Sequence, residues 1–145
     1  MSEAVQSHVT PYLTVEGGLD AIALYERAFA AELLTHKMAA DGNRVLHAAR
    51  DVFGTMVMLS DAFPEYDPDS KAPTSLGATT FTLHVGFDDP AEVDAAMAKA
   101  AAAGRTVTMP AMDASWGMRY GRLKDPFGHA WAFGAPLPDK SEKST

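Results

Sequence analysis

Asp125-Pro126-Phe127-Gly128 restates, 74 positions downstream, the tetrapeptide Asp51-Val52-Phe53-Gly54. Both read as reversals between two strands, with glycine where the chain must turn. Ahead of these turns the halves still correspond, at a shift of 72: Leu13 falls on Val85, Val15 on Phe87, Ala21 on Val93 and Tyr25 on Met97. A slip of two residues is absorbed by loops at little entropic cost. Self-similarity at such a period marks a duplicated supersecondary unit.

Each unit reads as one strand, one helix and three strands. In the first, residues 8–15 carry Val9, Leu13 and Val15 among polar neighbours, and Pro11 predicts an edge strand or an irregular start. Gly17-Gly18 breaks the strand. From Leu19 to Phe29, Ile22, Tyr25, Ala28 and Phe29 recur at helical spacing, with Asp20 and Glu26 off the stripe. Strand-like runs follow near 32–39, 44–50 and 55–60, punctuated by Asp41-Gly42 and Gly54. In the second unit, Phe81–Phe87 alternates as a strand. Asp89-Pro90-Ala91-Glu92 is a strong helix start, with an Asp cap and proline in the first turn. Val93, Ala96, Met97 and Ala100 form its apolar stripe and Gly104 its stop, and strands are predicted over 105–109, 117–124 and 129–133.

The whole chain, 1–145, therefore reads as a single α+β domain: module one at about 8–60, a linker at 61–78, and module two at about 79–134. Pro64, Pro68 and Pro73 among Asp, Glu and Ser predict a linker without a regular element. Neither half has enough of its own surface to cover both faces of its sheet, so the halves should pair. The stretch Pro136–Thr145 reads as a loose polar tail.

Composition excludes several functions. A formal net charge of −7, with basic residues scattered apart from a loose group at Arg119, Arg122 and Lys124, is unsuited to nucleic acid. No apolar run approaches the roughly 20 residues of a membrane span. Met1–Gln6 has neither a basic start nor an apolar signal core, which predicts a cytoplasmic protein. With no cysteine, disulfides, thiolate nucleophiles and Cys-based metal sites are ruled out together.

Several stretches resemble a known family: Pro11-Tyr12-Leu13-Thr14-Val15, residues 23–29, Met58-Leu59-Ser60-Asp61, Trp116-Gly117-Met118-Arg119-Tyr120-Gly121, and Asp125 through His129 with Trp131. Over roughly residues 8–134 the chain resembles the PhnB-like branch of the vicinal-oxygen-chelate (glyoxalase/bleomycin-resistance/dioxygenase) superfamily. That resemblance implies two βαβββ modules forming a curved, cup-shaped mixed sheet with helices on its outer face, and a homodimer. It implies no single reaction, since the superfamily includes metal-dependent isomerases, dioxygenases, thiol-transferring resistance enzymes and binding proteins without chemistry. Some PhnB-like sequences carry a demethylubiquinone methyltransferase label, but the glycine-rich strand-to-helix turn of a nucleotide-like cofactor site is missing here.

Metal-dependent relatives resemble one another in placing four His or carboxylate ligands inside the cup. The matching positions here are Thr10, Met58, Thr82 and Ala132. Neither alanine nor a thioether replaces imidazole or carboxylate at a zinc, nickel, manganese or iron site. No metal and no cofactor are predicted.

Strand alternation puts His84 on the face of Thr82, and His47 in the third strand of the first half reads as inward too. A relocated metal site built on these two histidines would make a lyase, isomerase or dioxygenase; otherwise they are hydrogen-bonded pocket or core residues. His8 and His36 read as peripheral, and His129 as bracing its hairpin. Met56, Met58 and Ser60 share one strand face, and flexible methionines suit an apolar cavity or simply fill a core. Trp116 and Tyr120 offer aromatic planes and Arg119 a fork for an anion, although Arg119 and Tyr120 cannot both point inward from one strand. Their structural alternative is Trp116 at an interface and Arg119 paired with Asp113 or Asp61. The function read from these residues is binding of a small apolar or aromatic molecule, with no nucleic-acid or membrane partner.

Overall fold

The computed structural model describes residues 8–138. The expectations for Met1–Gln6, and for the tail from residue 139 onward, lie outside the described residues. The elements are β1 (Tyr12–Val15), α1 (Gly18–Phe29), β2 (Glu32–Met38), β3 (Val45–Val52), β4 (Thr55–Asp61), α2 (Pro73–Leu76), β5 (Thr82–Gly86), α3 (Pro90–Ala102), β6 (Thr106–Asp113), β7 (Met118–Lys124) and β8 (Ala130–Pro136). Two four-stranded mixed sheets result, ordered β1-β4-β3-β2 and β5-β8-β7-β6. In each, the first strand runs parallel to the last and the other pairs are antiparallel. This is the duplicated βαβββ architecture that the repeat predicts.

Three details depart from the sequence reading. Strand β1 begins at Tyr12 rather than near residue 8, directly after Pro11, on the edge of its sheet where a missing N–H is tolerated. The linker holds one helical turn, α2, started by Pro73 and closed by Gly77 in the left-handed region. It is fixed in place because a Cβ on Gly128 would lie 2.7 Å from the Pro73 Cβ, so the β7–β8 turn presses on it. Strand β6 runs past Pro110 to Asp113, since Pro110 falls at a register shift on an edge strand.

The helices start by different devices. Asp89 caps α3 with its own side chain, accepting from the Ala91 amide at 3.0 Å. Gly17, at φ 95°, has no capping side chain. Asp61 at the end of β4 does that work from 43 residues away, accepting from Gly17 N at 2.8 Å, Gly18 N at 3.1 Å and Val45 N at 2.7 Å. Gly18 is required there: a Cβ would lie 2.6 Å from Asp61 Oδ2 and 2.7 Å from Val45 Cβ.

One core joins both modules, taking Leu13, Val15, Val57 and Leu59 from the first sheet and Leu123, Trp131, Phe133 and Ala135 from the second. The repeated turns interlock across it. Phe53 packs against Phe87 and Phe133 of module two, and Phe127 packs edge-on to Tyr25 of module one. The Tyr25 hydroxyl donates to Asp125 Oδ2 at 2.5 Å, and Trp131 Nε1 donates to the same oxygen at 2.9 Å. The buried guanidiniums of Arg50 and Arg105 lie 5.3 and 5.5 Å from the centre of the Tyr25 ring. Burial lowers both of their pKa values, and burial followed by the Asp125 charge raises that of Tyr25 well above the usual phenol value.

Candidate functional site

Since one face of each sheet is committed to the helices, period-two alternation assigns the other. On the first sheet the free face carries Tyr12 and Thr14 of β1, Met56, Met58 and Ser60 of β4, and Ala49 and Asp51 of β3, which pair with Met58 and Met56. His47 joins this face, with Nδ1 2.9 Å from the Tyr12 hydroxyl. On the second sheet, β8 presents the small residues Ala130, Ala132 and Gly134 ahead of Pro136 at its end. They form a floor between Thr82, His84 and Gly86 on β5 and Lys124, Arg122 and Tyr120 on β7.

Small floor residues let larger side chains lie across them. A Cβ on Gly134 would lie 2.8 Å from Met118 Cε and 2.9 Å from His84 Cε1. His84 stacks on Tyr120, with centroids 6.1 Å apart and planes inclined by 19°. Trp116, 60% exposed, meets Tyr120 edge-on at 5.4 Å. Arg122 is tethered twice, donating from one terminal nitrogen to Tyr120 Oη at 2.8 Å and from the other to Thr82 Oγ1 at 2.7 Å.

Where the two modules meet, the repeat is broken by one side chain. His129 Nε2 lies 2.9 Å from the Thr14 carbonyl oxygen, crossing from module two to the edge of β1. Its role thus goes beyond bracing its own hairpin. The repeat places Thr55 opposite Gly86 at the corresponding junction, and threonine is too short to cross. A cleft of about 390 Å³ opens there, lined by Thr55, Val57, Phe81, Thr82, His84 and Gly86 among others. That volume is within the usual range for small-molecule sites.

Residues 6–133 match the Glyoxalase/Bleomycin resistance protein/Dioxygenase superfamily. The chain belongs to this superfamily. An uncharacterized protein of Mycobacterium tuberculosis is 40% identical over 94% of this chain and 79% of its own length. Among solved structures, TioX from Micromonospora sp. ML1 has a TM-score of 0.70 at 27% identity, over 91% of this chain and 100% of that one. A PhnB protein from Bacillus cereus has a TM-score of 0.66 at 21% identity, with the same coverage. The PhnB-like resemblance in the sequence is consistent with this neighbourhood.

The superfamily's metal site can be tested on the side chains present at its four positions. Thr10 precedes β1, and Met58 lies opposite Tyr12 on the first sheet. Ala132 is fully buried and offers no donor, flanked by His84 on one side and Arg122 on the other. The Thr82 hydroxyl already accepts from the Arg122 guanidinium, so a fixed cation stands where a divalent ion would have to bind. These residues do not fit a metal. His47 and His84 are engaged by different tyrosines on different sheets, and no group of three or more His, Cys, Asp or Glu able to hold an ion occurs among the described residues.

The structure brings Thr82, His84 and Tyr120 together on one sheet, with Trp116 beside Tyr120 from the β6–β7 turn, and Tyr12, His47, Met56, Met58 and Ser60 share a face of the other. Arg119 does not join them and instead takes its structural alternative, pairing with Asp113. It lies on the helix side opposite Ala135, donating to Asp94 of α3 at 2.7 Å and to Asp113 at 3.0 Å. Arg122, one alternation step beyond Tyr120, is the inward arginine. The signal for it was the spacing itself, because a strand that turns Tyr120 inward turns residue 122 inward as well.

Proposed function

We propose that this protein binds a small, largely apolar or aromatic molecule between its two modules without using a metal ion. The observation that carries the reading is the pairing of a donor-free position, Ala132, with a guanidinium-engaged one, Thr82, where the superfamily would bind its ion. The adjoining cleft combines apolar walls from Phe53, Phe81, Val57 and Val85 with polar groups of Thr55, Thr82 and His84, and suits such a ligand. Exposed Tyr12, Met56, Met112 and Trp116 favour a second copy covering the free faces, giving a homodimer. None of the described helices is long and apolar enough to cross a membrane, and the reading places the protein in the cytoplasm.

The competing reading is a metal-dependent lyase, isomerase or dioxygenase centred on His47 and His84. Elemental analysis of protein purified without chelator separates the two. The binding reading expects no stoichiometric transition metal, together with a melting temperature raised by fused-ring aromatic compounds. One tightly held metal per chain, lost on replacing both histidines by alanine, would establish the enzyme reading instead.

A further inference from the structure

We propose that Arg122 is an anion-binding group, so that the ligand is a planar aromatic molecule bearing a carboxylate. This deepens the binding reading and rests on it. Arg122 is held by two neutral hydroxyls, and no carboxylate forms an ion pair with it among the described residues. In contrast, Arg44 and Arg119 each engage two acidic side chains.

The surrounding rows contain no acid either. Across the floor strand run Thr82–Ala130–Lys124–Thr106, His84–Ala132–Arg122–Met109 and Gly86–Gly134–Tyr120–Met112. In a chain of formal net charge −7, this is a patch with two cations and no carboxylate.

The hydrogen-bond inventory points the same way. Guanidinium has five N–H donors and no acceptor. Tyr120 Oη and Thr82 Oγ1 each accept from it, which leaves their own O–H protons to be given elsewhere. A ligand arriving here meets the remaining guanidinium protons and two hydroxyl protons, all donors. Carboxylate, which accepts only and matches the planar fork, is the complementary group. Beside it His84, Tyr120 and Trp116 offer ring faces and edges, and Thr82 lines the 390 Å³ cleft, so an aromatic body and an anionic head are served by adjacent groups.

Calorimetric titration with 2-naphthoate and its neutral isostere 2-naphthamide tests this. Wild type should prefer naphthoate by roughly tenfold or more, the scale of a charge-assisted pair. That preference should shrink as ionic strength rises, while naphthamide binding stays constant. Arg122→Gln should abolish the preference and retain naphthamide binding, and Arg122→Lys should keep part of it. Equal binding of both probes by wild type, or a preference that survives Arg122→Gln, would overturn the anion assignment and leave the aromatic-binding reading standing. Failure of wild type to bind either probe would remove both. If Arg122→Gln does not fold, the salt dependence in wild type decides.

Discussion

Tyr25 and Asp125, 100 residues apart, meet through a 2.5 Å hydrogen bond inside the core, joining the helix of one module to the repeated turn of the other. Because burial and the neighbouring carboxylate raise the Tyr25 pKa well above the ordinary phenol value, the folded state holds this proton more tightly than the unfolded chain does. The resulting stability is fully present below about pH 10, the unfolded value, and declines as pH rises toward the folded one. The expected slope is about 1.4 kcal/mol per pH unit in that window. Tyr25→Phe should lower stability at neutral pH by about 1–3 kcal/mol and flatten the alkaline decline, as read from urea midpoints at pH 7 to 11. An unchanged alkaline slope in the variant would contradict the assignment.

Asp61 acts as a remote cap on α1. Asp61→Ala removes one acceptor from three backbone amides and should cost roughly 2–4 kcal/mol. Gly18→Ala should cost about 1–3 kcal/mol, because the added methyl meets Asp61 and Val45 at less than contact distance. Thermal unfolding of both variants is the check, with Gly86→Ala as a control for the added methyl without the close contact, since Gly86 also lies outside the left-handed region and no atom lies within 4 Å of its Cβ position.

The two neighbouring arginines should separate by function. Arg119 holds Asp94 and Asp113 at a half-open surface, so Arg119→Met should change stability by no more than about 1 kcal/mol and leave naphthoate binding as in wild type. A large loss of binding in this variant would move the site to the helix side of the sheet.

Thr55 leaves open the junction that His129 crosses in the other half. Thr55→Phe should fill part of the 390 Å³ cleft and weaken binding of 2-naphthamide by roughly tenfold or more, with the fold retained because the cleft opens to solvent. Crystals or heteronuclear spectra of the variant would establish that the fold is intact; unaltered binding would place the aromatic body elsewhere.

Metal should be without effect on stability. Incubation with EDTA, zinc, nickel or manganese is expected to leave the melting temperature unchanged, since a bound ion would stabilise the folded state by mass action. A rise of several degrees with one ion at micromolar concentration would refute the reading of Thr82 and Ala132.

Local patterning made the modules legible. The apolar stripe of Ile22, Tyr25, Ala28 and Phe29, the Asp89-Pro90 start and the two Asp-x-Phe-Gly turns each carry their own signal. The positions of Met58, Thr82 and Ala132 followed from the family resemblance carried across the repeat, and the structure puts all three on the free faces. Less legible were features depending on a distant partner: the α2 turn held by Gly128, the continuation of β6 through a bulge at Pro110, and the inward arginine. For Arg119 the residue type left open a fork for an anion or a pair with Asp113, and strand parity, fixed only by the pairing of Arg122 with Ala132, turns Arg119 to Asp113 and its neighbour inward.

The amino-acid order alone determined the duplicated βαβββ plan, because periodicity and turn chemistry are properties of the chain itself; which side chains stand at the superfamily's four ligand positions followed from the family resemblance. Only the tertiary structure decided that Asp61 caps a helix 43 residues away, that His129 closes one junction while Thr55 leaves the other open, and that Arg122 rests on Thr82 and Tyr120. Each of those depends on distances between strands from different parts of the chain, which no local pattern encodes.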